Sequence, residues 1–496
     1  MLWKGGDGLA SASWAWRKIA RFAIAFLAVL GVLILLWPSR AREAPAAAAA
    51  PADDAGPVQS NFTISPNVKC DVDLKMLDRF GVEKLAQYTR RRIAVTFSDE
   101  QVPMRQQMDQ PLLEGQTRGA ASGGESPHEQ ALDGCTIPAP ITIVTPRPPK
   151  MADASHIDFG VATSISRLNE SLDQFAHWAG YTRTRIFAIV EPMESESDTR
   201  EGIANVKAKA DSIGINLIVS ESKDDYLHRY FALVSLLEKN LREATQWACI
   251  IDDDTFFLSM PALVQALGEY DHTKPMYVGG LSEGIPQISE FGIMAFGGAG
   301  VFLSRPLLSI LGTVYEVCEQ MTWTGDRRIA HCIYDHTTTK LTVDHRLRQL
   351  DLLDDASGFF ESGREQPLSV HHWKSWFHMD MPKLSTISEV CGPSCLLRQW
   401  QFSDGWFLTN GYSIVKYGFP PAPDDVSVEM TWNPLNGATI ESYLHELGPI
   451  RRKDEHKMSY LLQDSQMESD GSVTQWYILR DKIQGDQIFE LTWQKP

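Results

Sequence analysis

The chain of 496 residues is 43% hydrophobic, 22% charged and 10% aromatic, a globular composition that excludes a disordered, collagenous or low-complexity protein. Its 46 basic residues stand against 63 acidic ones, a net charge of −17, which excludes nucleic acid held by general electrostatic attraction. A phosphate-bearing partner would need a local cation, and a metal is one source.

From Phe22 to Trp37 the sequence FAIAFLAVLGVLILLW runs for 16 residues without a charge, enough for a helix to cross a thin bilayer. The following PSRAR is not a small-x-small cleavage site, so the run reads as a retained anchor and not as a cleaved signal peptide. Lys4, Arg17, Lys18 and Arg21 precede it against Arg40 and Arg42 after it, which places the short N-terminus in the cytosol and the bulk of the chain in a lumen. Residues 38–60, rich in Pro and Ala, form a stalk, and residues 100–134 read as a mobile loop inside an N-terminal lumenal region, 61–137. Sequons at Asn61 and Asn169 suit a lumenal chain.

Seven cysteines suit an oxidising compartment. Cys391 and Cys395 flank the turn Gly-Pro-Ser and read as a disulfide; a CxxxC can also hold metal, but no second pair at zinc-site spacing lies beside it. Cys318 and Cys332 border the segment holding Asp326 and are placed to staple it. Cys70 and Cys135 form a third candidate pair, which leaves Cys249 as a core thiol.

From Ile141 short apolar runs alternate with helical patterns, the signature of an α/β sheet. ITIVT (141–145) reads as the first core strand. Leu168, Leu172, Phe175, Ala176 and Ala179 give a helical face that Gly180 ends. IFAIV (186–190) and INLIV (215–219) read as strands, and Leu227, Tyr230, Phe231, Val234 and Leu237 as a second helical face. The fourth strand, WACII (247–251), runs straight into Asp252-Asp253-Asp254.

Three carboxylates at the C-terminal end of a buried parallel strand sit where ligands bind in open α/β sheets. They require a counter-charge, which a hard divalent cation such as Mn²⁺ or Mg²⁺ supplies. Downstream, the glycines of FGGAGVFLS (296–304) suit close approach by a ligand. Asp326 precedes Ile329, Cys332 and Ile333 at helical spacing and sits near a helix start, where the bland role is an N-cap.

WACIIDDDTFF, FGGAGVFLS, TGDRRIAHCI and QLDLLDDASGFFESG with LSVHHWKSW, in that order, resemble the Fringe-like glycosyltransferases of family 31, most closely their fungal-type members. One departure is LLDDASG around Asp355, where the pattern has a Gly-Asp pair. The resemblance implies an α/β, GT-A-like (Rossmann-type) catalytic unit over 138–380, a UDP-sugar donor, a manganese ion and inversion at the anomeric carbon. It implies that Asp254 and Asp252 bind metal with His371, or alternatively His372, and that Asp252, Asp253, Gly298 and Gly300 meet the donor. It makes Asp326 the base. Thr145, Arg167 and Arg229 are further donor candidates at the sheet edge. Trp373, Trp376 and His378 are candidates for an acceptor-sugar platform, because aromatic faces pack on pyranose rings. Residues 381–496 read as a β-rich C-terminal extension with strands near 426–432, 459–462, 474–479 and 488–493.

The resulting expectation is a Golgi or endoplasmic-reticulum, single-pass type II membrane enzyme that moves a hexose or N-acetylhexosamine from a UDP-sugar to a glycan or glycoprotein hydroxyl. The competing readings are a catalytically silent relative acting as a chaperone or glycan-binding protein, and a metal-dependent phosphohydrolase using the same carboxylates.

Overall fold

The computed structural model describes residues 63–65, 68, 72–113, 138–377 and 379–496. The expected anchor (22–37), its cytosolic tail and stalk, Asn61, the Cys70–Cys135 pair, His378 and most of the expected mobile loop lie outside these residues. Among those described, no helix is long and apolar enough to cross a membrane.

Two large sheets organise the described chain. The first has seven strands: β1 (Ile157–Ser164), β2 (Arg185–Glu191), β3 (Asn216–Glu221), β4 (Trp247–Ile251), β5 (Tyr277–Gly279), β6 (Val301–Ser304) and β7 (Leu341–Val343), in the order β7-β5-β6-β4-β1-β2-β3. Strands β1, β2, β3 and β4 are parallel, while β6 runs antiparallel to both β4 and β5. The order reverses between β1 and β4, which is the topological switch point at which open α/β sheets bind ligands.

Alternation along these strands loads both faces of the sheet. Ile157, Phe159, Val161, Cys249 and Ile251 join one core with helix α1 (Ile165–Ala179). Ala162, Ala248 and Ile250 join a second with α2 (Tyr226–Lys239), α3 (Arg305–Glu319) and α4 (Gly325–His336). The helix starts are encoded locally: Ser164 caps α1 by accepting from Arg167 N, and Asp225 caps α2 by accepting from Leu227 N and His228 N, satisfying amides the first turn leaves open. Gly180 caps the end of α1.

The second sheet has ten strands and is built from both ends of the described chain. Lys84–Ser98 pairs in parallel with Asp486–Gln494 and with Ile141–Pro146, and the sheet continues through Val473–Leu479, Met458–Met467, Ser413–Lys416, Trp406–Thr409 and Gln399–Gln401 to Arg105–Gln107. ITIVT is therefore a strand, but of this sheet. The first strand of the central sheet is β1, IDFGVATS, whose residues are buried on both faces from Ile157 to Thr163. The carboxy-terminal strands share a core with β1 and α1 that includes Trp400, Trp406 and Trp493 with Phe159 and Phe175. Within 426–432 only Val428–Glu429 is a strand. Glu361, buried at the end of QLDLLDDASGFFESG, accepts from Ser413 Oγ at 2.7 Å and from Lys457 Nζ at 2.9 Å, which ties that stretch to the second sheet.

Both described disulfides match the expected pairs: Cys318–Cys332 joins α3 to α4, and Cys391–Cys395 closes its turn. Cys249 is free and buried.

Candidate active site

Strand β4 delivers Asp252, Asp253 and Asp254 to the switch point, and each carboxylate meets a different partner. Arg167, from the first turn of α1, grips Asp253 with two nitrogens, Nε lying 2.6 Å from Oδ2. Thr163 at the end of β1 donates to the same carboxylate, and the Ser171 hydroxyl donates to the Asp253 carbonyl at 2.7 Å. Asp253, expected to meet the donor, is instead the clasp between β4 and α1, and Arg167 is consumed in holding it.

Asp252 Oδ1 accepts from the Tyr226 hydroxyl at 2.8 Å. Its Oδ2 lies 3.3 Å from His371 Nε2, and Asp254 Oδ1 lies 2.9 Å from the same nitrogen. The approach of His371 follows from pairing: Ser369–Val370 forms an antiparallel ribbon with Phe256–Phe257, Val370 opposite Phe256. The apolar residues that follow the acidic run and those that precede the histidine are the two strands that bring it to Asp254. Gly298 makes room for the ring, because a Cβ there would lie 2.1 Å from His371 Nδ1. Gly298 thus serves His371 directly, and Gly300 takes φ +102°, a conformation that favours glycine.

Burial pushes the His371 imidazole down, but Asp254 and Asp252 override it and drive it up to about 10. Burial likewise pushes Asp254 up, and His371 overrides it, bringing the carboxyl down to about 2. The two opposite shifts describe one buried carboxylate–imidazolium pair.

Ligand atoms of Asp254, His371 and His372 all lie within 4.8 Å of one another. One carboxylate and two imidazoles, with the Asp252 carboxylate beside them, form a mixed oxygen and nitrogen donor set of the kind that holds a divalent cation. His371 is the better placed of the two histidines, since His372 Nε2 donates to Asp351 Oδ1 at 3.1 Å and its ring stacks on Trp376 at 4.0 Å. Asp351 is anchored in turn by the Ser282 hydroxyl, and its amide donates to Glu283 Oε2 at 3.0 Å. Burial, followed by the nearby Asp351 charge, pushes Glu283 up to about 8.

Asp326 lies in the first turn of α4, where Thr324 holds the N-cap position. Its Oδ2 accepts from Gly297 N at 2.9 Å and its Oδ1 from Arg327 N at 2.7 Å. The FGGAG loop and Asp326 are therefore one unit. The loop is fixed from the other side by Thr255 Oγ1 donating to Gly298 O at 2.9 Å and by Ser369 Oγ donating to Ala299 O at 2.7 Å. Burial pushes Asp326 up to about 6, with Asp252 and Asp351 adding to the rise against two backbone donors. A carboxylate so tuned is suited to taking a proton near neutral pH.

Three other expected site residues lie elsewhere. Thr145 is fully buried in the second sheet. Arg229 is 4% exposed and donates to Asp224 O, with Glu191 3.4 Å away. Trp373 is 5% exposed and packs in the core, so its face is closed to a sugar, whereas Trp376 is partly buried with one face on His372. Asn169 is exposed on α1.

Thr163, Tyr226, Ser282, Glu283 and Asp351 are the additions. Of these only Asp351 lay in a motif that the sequence singled out.

Residues 206–389 match the family model described as Fringe-like. That segment contains Asp252 to Asp254, the FGGAG loop, Asp326 and His371, and the match supports a glycosyltransferase of the Fringe-like family. No curated protein matches the sequence. Among solved structures, the chain is similar to the galactosyltransferase LgtC in complex with donor and acceptor sugar analogs, at 12% identity over 43% of this chain and 86% of that one, TM-score 0.28. It is also similar to mouse xyloside xylosyltransferase 1 (10%, 44% and 97%, TM-score 0.29). A third is a mannosyltransferase from Pyrobaculum calidifontis in complex with GDP-Man and Mn²⁺ (12%, 40% and 60%, TM-score 0.26). At such identities and TM-scores these likenesses assign nothing to this chain.

Proposed function

We propose that this protein is a metal-dependent, inverting glycosyltransferase that moves a hexose or N-acetylhexosamine from a UDP-sugar to a glycan or glycoprotein hydroxyl. On this reading residues 22–37 anchor it as a type II protein of the Golgi or endoplasmic reticulum, with the catalytic unit in the lumen. The observation that carries the proposal is the pairing, at one switch point, of the Asp252–Asp254–His371 cluster with an elevated carboxyl, Asp326, held by the neighbouring glycine loop. One set suits a diphosphate and its cation, and the other suits an acceptor hydroxyl.

Asp254 and His371 would hold the divalent cation, with Asp252 beside them. When bound, it supplies neutralisation of the charge that grows on the departing diphosphate. Asp253 and Arg167 keep β4 and α1 fixed together. In a single displacement the acceptor oxygen forms the new bond to the anomeric carbon as the bond to the diphosphate oxygen breaks on the opposite face. Asp326 takes the hydroxyl proton, and its bonds to Gly297 N and Arg327 N hold the carboxylate in place for that transfer.

Incubation of the purified chain with a panel of nucleotide sugars, with and without Mn²⁺, tests this reading. The expected result is Mn²⁺-dependent release of a nucleoside diphosphate from one sugar donor, increased by an acceptor glycan. Release of inorganic phosphate with no sugar preference would instead show a phosphohydrolase, and glycan binding without turnover would show a silent relative.

A further inference from the structure

The cations nearest the acidic corner are nearly all engaged. Arg167 is bound to Asp253, and His371 sits between Asp252 and Asp254. Lys374 differs from them. It lies in the turn that follows the histidine pair, closed by Ser375 N and Trp376 N donating to His372 O at 3.1 and 3.0 Å. Its ammonium rests 4.8 Å from the centre of the Trp373 ring, within electrostatic reach of Asp253, Asp254, Glu170 and Arg167. Among the described residues its ammonium makes no side-chain hydrogen bond and no ion pair. Trp373 is itself buried and Lys374 is partly exposed, so the ammonium lies on the ring without being closed off from solvent.

Resting on the glycosyltransferase reading, we propose that Lys374 is the protein's own cation for the diphosphate of the donor, binding its phosphate oxygens on the side away from Asp254 and His371. The acidic corner alone repels a diphosphate. A divalent ion at Asp254 offsets part of that charge, and an ammonium carried on the same turn as the metal-binding histidine adds a second positive group. An ammonium suits this role because it is a compact charge with three donors and can follow phosphate oxygens as the bond to the sugar breaks. The nearest carboxylates do not capture it, since Asp253 is saturated by Arg167 and Thr163 and Asp254 faces His371.

The test is Lys374→Met in the full chain, which keeps an apolar stem on Trp373 and removes the charge. Binding of UDP, GDP, inorganic pyrophosphate and uridine is titrated in the presence of Mn²⁺, with Lys340→Met as a remote control and thermal midpoints to verify folding. A charge-assisted contact of this kind predicts a loss of about tenfold to a hundredfold in affinity for the diphosphates and pyrophosphate. Uridine and Mn²⁺ binding should be unchanged, and Lys374→Arg should recover most of the diphosphate affinity. Unchanged diphosphate binding by a folded Lys374→Met, or an equal loss for uridine, overturns the assignment. If the wild-type chain binds Mn²⁺ but none of the diphosphates, the glycosyltransferase reading itself falls, and this proposal with it.

Discussion

Gly298 has almost no freedom to change. A methyl group there would lie between 2.1 and 2.3 Å from three atoms of the His371 ring, too close for the buried ring to stay where it is. Gly298→Ala should therefore displace His371 from Asp254 and weaken Mn²⁺ binding by at least about tenfold, given what loss of a well-placed ligand or its support costs. Electron paramagnetic titration of Mn²⁺ measures this, and an unchanged affinity would remove His371 from the ligand set. At this scale the sequence was legible where chemistry is written in contiguous residues: Asp252 to Asp254, Asp326 and the histidine pair. It was illegible where a residue's duty depends on a partner far along the chain. Asp253 looked like its neighbours until Thr163 and Arg167, about ninety residues earlier, proved to occupy it. Trp373 looked like a sugar platform because an aromatic beside a functional histidine has the same sequence whether it faces solvent or core.

Helix α4 carries Asp326 and is tied to α3 by Cys318–Cys332, across a sequence separation of 14. A loop of that size is worth about 3 kcal/mol through restriction of the unfolded chain. Replacing both cysteines with serine should lower stability by about that amount and shift the urea midpoint of the catalytic unit downward, and an unmoved midpoint would show that packing alone fixes α4. The short ribbon of Phe256–Phe257 with Ser369–Val370 does comparable work for His371. Most elements were readable from periodicity: β4 was expected at 247–251 and is found there, and β2, β3, α1 and α2 differ by a few residues at their ends. Strand β1 was not, because IDFGVATS is buried on both faces and shows no alternation. The alternating ITIVT was readable as a strand, but alternation specifies a half-buried strand and not its partner, and it pairs with Lys84–Ser98.

The whole molecule carries −17 at neutral pH and concentrates three carboxylates at the end of β4, beside the glycine loop. Its design joins a seven-stranded α/β sheet to a ten-stranded sheet assembled from early and late strands, an architecture that local pattern could not reveal because parallel pairing of Lys84–Ser98 with Asp486–Gln494 is a contact across almost the full chain. Under the proposed function, Asp326 is the base of a transfer site whose donor is held at the end of β4. The most direct measurement is the acceptor-dependent transfer rate against pH for the wild-type chain and Asp326→Asn, with Mn²⁺ and nucleoside diphosphate binding recorded alongside. A base of pKa about 6 must be ionised to work, so wild-type kcat/KM should level off above that pH and fall about tenfold per unit below it. Asp326→Asn should bind both ligands normally, lose about 10²- to 10⁴-fold in rate on the plateau above that pH, and show no acid limb below it. A variant that transfers at near-normal rate, or that keeps the same acid limb, would contradict the account.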